Sequence, residues 1–185
     1  MSESAERLVL LGLGSNKNAL ANLRRCLGAL EARFGKVKAS TVYQSADVSA
    51  CVQDAATACA TPVFHNMVAA FHSAAEPAAI KRWSKAQERA QGRLPPSAGA
   101  NTHPIDIDLL AVGELCGEFD SELGAIRLPH DDMLAHAFVL RPLAELVPQA
   151  RHPGAGKTYA ELWASARATA SPRLTPICLP SAAPL

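Results

Sequence analysis

Two stretches with the apolar period of a helix lie between stretches with strand character, and their order limits the available folds more than any other feature. Residues 8–13 are a short apolar run closed by Gly14-Ser15-Asn16, which predicts a buried strand, a turn and a cap for the helix that follows. Leu20, Leu23, Leu27, Leu30 and Phe34 then recur at intervals of three and four, which draws one apolar stripe on a helix ended by Gly35. Residues 37–45 and 63–72 read as strands, separated by a long aperiodic loop over 46–61 of the kind that often acts as a lid. Pro77 opens a second helix with Ile80, Trp83, Ala86 and Ala90 on its inner face and Gly92 at its end. After a loop at 93–104, residues 105–112 form another strand, 125–129 an edge strand, and 131–147 one or two short helices. The order is β-α-β-β-α-β, which predicts an α+β, ferredoxin-like sandwich. Its antiparallel sheet carries both helices on one face, followed by C-terminal additions. Residues 1–168 read as one domain and 169–185 as a Pro/Ala-rich tail, an extended strap or disordered.

Composition narrows the partners. Lys and Arg total 18 against 17 for Asp and Glu, so no basic field marks a nucleic-acid or anionic membrane surface. No apolar run is long enough to span a bilayer. Two acids precede the first apolar run, unlike a secretory leader. The five cysteines (26, 51, 59, 116 and 178) are odd in number and lack a CxxC pair, which reads as reduced cytoplasmic thiols. A Cys51–Cys59 bridge or a zinc site is the less favoured alternative. Small-molecule partners, no nucleic acid, no membrane, and a monomer or homodimer are the expectation.

The chemistry centres on Asp106 and Asp108. Alternate residues of a strand share a face, so both carboxylates leave the sheet together, roughly 7 Å apart by strand rise. Ile105, Ile107 and Leu109 then point the other way. Adjacent carboxylates repel, and a hard divalent cation that also holds substrate phosphates relieves that repulsion. Taken alone, alternation of Asp and Ile more often marks a half-exposed strand. Gly12-Leu13-Gly14-Ser15 lacks the third glycine of a dinucleotide fingerprint and the Lys-Ser/Thr ending of a P-loop.

Seven segments taken in order give the pair a context. They are Leu11-Gly12-Leu13-Gly14-Ser15-Asn16, Val42-Tyr43-Gln44-Ser45, Phe64-His65-Asn66, Glu88-Arg89-Ala90-Gln91-Gly92-Arg93, Ile105-Asp106-Ile107-Asp108-Leu109-Leu110, Leu128-Pro129-His130-Asp131-Asp132-Met133 and Phe138-Val139-Leu140-Arg141-Pro142-Leu143. Together, over residues 8–148, they resemble the 6-hydroxymethyl-7,8-dihydropterin pyrophosphokinases of folate biosynthesis. The resemblance implies Mg²⁺-dependent transfer of the β,γ-pyrophosphoryl unit of ATP, the co-substrate, to the pterin hydroxymethyl oxygen, with AMP leaving. It implies that Asp106 and Asp108 hold two Mg²⁺ ions, and that Arg93 and His103 act at the phosphates. Glu88, Arg93, Leu109, Arg127 and His130 would seat ATP. Ser45, Ala46, Phe64, Asn66 and Phe138 would form the pterin pocket, with Phe138 stacking one ring face.

The chain departs from the family pattern at several positions. His103 stands where the family carries an arginine before the Asp-x-Asp strand, and His136 replaces a second arginine. Ala46 replaces a proline, and Ala100 falls on a tryptophan position. Arg93 is the one Lys or Arg left in the 93–104 loop. Histidine does not reproduce the bidentate guanidinium fork that grips phosphate. These departures keep two further readings in view: a paralogue acting on another reduced pterin, such as one of methanopterin type, and a pterin- or nucleotide-binding protein with weakened catalysis.

Overall fold

The computed structural model describes residues 5–46, 63–93, 102–167 and 174–179. In chain order its elements are β1 (Arg7–Ser15), α1 (Ala19–Phe34), β2 (Lys38–Ala39), β3 (Val42–Ala46), β4 (Val63–Ser73), α2 (Pro77–Ala90), β5 (Asp106–Val112), β6 (Gly117–Phe119), β7 (Ile126–Leu128), α3 (Asp132–Ala135), α4 (Ala137–Leu146), α5 (Tyr159–Ala166) and β8 (Thr175–Ile177). The loop expected over 46–61 and most of the one at 93–104 lie outside the described residues, as do Cys51, Cys59 and Ala100.

Alternation along β1 explains its central place. Val9, Leu11 and Leu13 go to one face and Leu10 to the other, so the strand is covered on both sides. It pairs antiparallel with β4 on one edge and β5 on the other, in the order β5-β1-β4-β3-β8. This is the expected α+β, antiparallel β-α-β-β-α-β arrangement.

The helices α1 and α2 cover one face. Leu23, Cys26, Leu30 and Ile80 pack there on Val9, Leu11, Leu13, Phe71 and Ile107. The C-terminal additions cover part of the second face, where Leu140, Leu143 and Tyr159 meet Leu10, Val68 and Leu110. Where those additions stop, the second face is open, and the candidate site lies there.

Four details differ from the sequence reading. The strand expected over 37–45 is broken at Ser40, whose Oγ accepts the Val68 N–H while its own N–H donates to the Val68 carbonyl. A hydroxyl thereby replaces a rung of the backbone ladder. The expected edge strand at 125–129 pairs with β6 in a separate ribbon, not with the main sheet. The Gly-Ser-Asn turn does not cap α1: its N-cap is Asn18, at φ 48° and without a side-chain cap bond. Ser15 Oγ instead donates to the Pro104 carbonyl at 2.7 Å, and Asn16 Oδ1 accepts the His103 N–H at 2.6 Å. The turn therefore ties the end of β1 to the entry of β5. Finally, α5 was not foreseen, although Thr158 and Glu161 form a reciprocal capping box at its start.

Candidate active site

The strand β5 builds the site by simple alternation. Ile105, Ile107 and Leu109 turn into the helix layer, and Asp106 and Asp108 stand on the open face. In the β1 register Asp106 lies opposite Gly14 and Asp108 opposite Gly12. Neither glycine brings a side chain, so the carboxylates border an open floor. A Cβ on Gly14 would come within 3.1 Å of Asn66 Oδ1, so that floor has no room for an alanine without movement.

The two carboxylates differ in their surroundings. Burial disfavours the charge on Asp106, but Arg93 Nη1 donates to its Oδ1 and holds its carboxyl below the usual range. Among the described residues Asp108 has no such partner, and burial together with the neighbouring Asp106 pushes its carboxyl up to about 6. This is the charge deficit that a hard cation relieves. Two carboxylates are the protein share that Mg²⁺ typically takes, with water and phosphate filling the rest. Among the described residues no cluster of three or more His, Cys, Asp or Glu forms a fuller metal cage.

Two cavities flank the pair, and Asp108 lines both. The first, of about 200 Å³, brings together Ser45, Phe64, Asn66 and Phe138 with Asp106 and Asp108. Asn66 Nδ2 donates to Ser45 Oγ at 2.9 Å, which leaves the Asn66 carbonyl oxygen near Gly14. His136 stacks on Phe138, with ring centroids 4.8 Å apart and planes 12° from parallel, and lies 3.7 Å from Asp132. The second cavity, of about 300 Å³, is lined by Leu109, Arg127 and His130, together with Lys81 and Lys85. Arg127 is largely exposed and 3.6 Å from Asp131. His130 Nδ1 accepts the Asp132 N–H at 3.3 Å.

Glu88, Arg93 and His103, all singled out from the sequence, sit apart from these walls. Glu88 is buried, and its Oε1 accepts from Lys85 Nζ at 2.7 Å and from the Ile107 N–H at 2.9 Å. Arg93 Nη1 lies 3.4 Å from the same oxygen. Glu88 is thus a strut between α2 and β5. The His103 ring lies 5.7 Å from that of Phe64. Ala46 joins the ladder opposite Val63 through its backbone. The sequence reading missed Gly12 and Gly14 as floor, Asp132 as a wall, and Lys81 and Lys85. Two lysines four apart on a helix read equally well as a solvated face, so they carried no separate signal.

Comparison with known proteins gives the family and the fold. Residues 10–148 match the family described as 7,8-dihydro-6-hydroxymethylpterin-pyrophosphokinase (HPPK). A 2-amino-4-hydroxy-6-hydroxymethyldihydropteridine pyrophosphokinase of Pseudomonas aeruginosa is 37% identical over 105 residues, 56% of this chain and 60% of that protein. Crystal structures of Plasmodium falciparum HPPK-DHPS, wild type, resemble it in fold. The one with SDX-DHP has a TM-score of 0.70 at 14% identity, covering 89% of this chain and 45% of that one. The one with pteroate has a TM-score of 0.69 at the same identity and coverage. At that identity the likeness speaks to the fold alone. The matches span less than two thirds of each of these relatives. With three quarters of its length inside the family match, the chain belongs to the 7,8-dihydro-6-hydroxymethylpterin-pyrophosphokinase family.

Proposed function

We propose that this protein transfers pyrophosphate from ATP to the hydroxymethyl group of 6-hydroxymethyl-7,8-dihydropterin in folate biosynthesis and releases AMP. The observation that carries the reading is Asp108, a wall common to an aromatic cavity and a cationic one. A transfer between two bound molecules needs their reacting atoms to meet, and Asp108 stands where the two cavities adjoin.

The first cavity takes the pterin. Phe64 and Phe138 offer ring faces to a flat heterocycle. Asn66 spends its N–H on Ser45 and presents its carbonyl oxygen as an acceptor for the ring's N–H edge. The second cavity takes ATP, with Leu109, Arg127 and His130 along it. Asp106 and Asp108 would hold two Mg²⁺ ions, which would neutralise charge on the phosphate oxygens. Arg93 sits on Asp106 as a counter-charge beside the site. His103 borders the pterin side through Phe64.

In the step itself the hydroxymethyl oxygen attacks the β-phosphorus. The bond from that phosphorus to the α–β bridging oxygen breaks, AMP leaves with the electron pair, and the hydroxyl proton passes to solvent. The protein's work is positioning and charge neutralisation. The reading also places the protein in the cytoplasm, where Cys26, Cys116 and Cys178 remain free thiols.

The test is AMP release from Mg-ATP with and without the pterin. Pterin-dependent AMP supports the reading. AMP formation that ignores the pterin, or none at all with both substrates saturating, refutes it.

A further inference from the structure

The two cavities have opposite chemistry. Among the described residues the first is lined by two phenyl rings and by no lysine or arginine, whereas the second has no phenyl, phenol or indole ring and carries Lys81, Lys85 and Arg127. Of these three cations Lys85 is the best held. Its ammonium donates to Glu88 Oε1 at 2.7 Å, and the same oxygen accepts the backbone N–H of Ile107, the residue before Asp108. Lys85 is thereby tied to the aspartate strand, with its side chain still 32% exposed. An ammonium has three donors, and among the described residues one is engaged. Its charge acts on both Asp106 and Asp108. Lys81 lies one turn earlier on the same side of α2 and donates to the Ala125 carbonyl at 3.1 Å. Arg127 is more exposed and is already paired with Asp131.

We propose that Lys85, supported by Lys81, is a nucleotide-positioning residue of this chain, binding the polyphosphate of ATP from α2. The helix lysines take over charge that the 93–104 loop lacks, since that loop holds Arg93 as its one Lys or Arg. A lysine meets phosphate as a point charge and does not need the planar fork of arginine. A cation fixed on a helix is also better placed in advance than one on a loop. The inference rests on the reading in which the second cavity takes ATP.

The experiment uses the full chain and four proteins: wild type, Lys85→Met, Lys85→Arg and Lys81→Met. Calorimetry gives the Kd of each for Mg²⁺-α,β-methylene-ATP, for AMP and for 6-hydroxymethylpterin, and steady-state assays give the KM for ATP. Removing one charge-assisted contact should weaken the triphosphate analogue about 10-fold to 100-fold. The AMP and pterin constants should stay within about twofold, and Lys85→Arg should recover most of the loss. Lys81→Met leaves Glu88 untouched and should weaken the analogue in the same direction by a smaller factor. The salt dependence of analogue binding should flatten in both Met variants. Unchanged analogue binding in Lys85→Met overturns the proposal. So does an equal loss for AMP, pterin and analogue, which would assign Lys85 a structural role through Glu88. A wild type that binds no analogue overturns the ATP reading itself. A wild type with pterin-dependent AMP release, beside an unaffected Lys85→Met, overturns only the lysine proposal.

Discussion

Replacing Glu88 by alanine tests whether that residue is a strut or a ligand contact. Its side chain is about 5% exposed, and one oxygen accepts from Lys85 Nζ at 2.7 Å and the Ile107 N–H at 2.9 Å and has the Arg93 guanidinium 3.4 Å away. Burial raises its carboxyl above the usual range, and the hydrogen bond from Lys85 only partly offsets this. The charged form is therefore worth less than three contacts suggest. Deleting it is a different matter, because the partners keep their own needs. Lys85 can reach water, and Arg93 still has Asp106. The Ile107 N–H lies in the core between β5 and α2 and has no substitute acceptor. An orphaned buried donor costs about 1–3 kcal/mol, and breaking a buried ion pair about 3–5 kcal/mol in all. The upper range applies to Glu88→Ala. For a chain of this size each kcal/mol moves Tm by about 2–4 °C, so the expected fall is roughly 6–20 °C. Glu88→Gln keeps an acceptor for Ile107 and loses only the charge. It should be the milder variant by about 1–3 kcal/mol. Thermal melts followed by circular dichroism read both values. Equal melting of the two variants, or a Glu88→Ala protein that melts within 2 °C (about 1 kcal/mol) of wild type, would refute the strut.

Three other outcomes follow from the site and its surroundings. Asp108→Ala or Asp106→Ala should lower kcat by about 100-fold or more while the pterin Kd stays nearly constant; near-normal turnover in either variant removes the metal assignment. Gly14→Ala places a methyl 3.1 Å from Asn66 Oδ1, whereas the same change at Gly12 meets Leu110 at 3.5 Å. Pterin binding should therefore weaken about tenfold for Gly14→Ala, with a smaller effect at Gly12, and calorimetry showing the reverse order would count against Asn66 as the ring acceptor. His152 is buried, its Nδ1 accepts the N–H groups of Gly154 and Ala155 at 3.1 Å each, and burial holds its pKa below the usual value. The folded pKa is the depressed one, so this contribution to stability is full above about pH 6.5 and is lost as pH falls through the folded value. Urea unfolding between pH 7 and 5 should show a shallower pH slope in His152→Asn than in wild type, and parallel slopes would exclude this linkage.

Periodicity made the sheet legible and left side-chain traffic hidden. The stripe from Leu20 to Phe34 and the alternation of Ile105, Asp106, Ile107 and Asp108 are each fixed by repeat length, and both appear in the structure where the pattern puts them. The break at Ser40 was not legible, because it depends on a hydroxyl meeting Val68 across a turn of chain. Glu88 followed the same logic. A glutamate in a helix reads as exposed or as a ligand contact, and only packing against Ile107 reveals a buried acceptor. The cap of α5 was legible in Thr158-x-x-Glu161, since both halves of that box are local. The lysines of the second cavity were not, because the cavity forms only when α2, β5 and the β6–β7 ribbon come together.

The difference between the two aspartates ties these strands of argument together. They share a strand face, yet only Asp106 has a guanidinium against it. Asp108 is left with burial and the repulsion of Asp106, which Lys85 only partly offsets. The imbalance falls on the residue that lines both cavities. On the proposed reading, Asp108 would help hold a cation whose charge would offset that of phosphate oxygens where the two cavities adjoin. The lysines of α2 then need only hold the rest of the polyphosphate in place, which a point charge on a rigid helix does without the arginines of a loop.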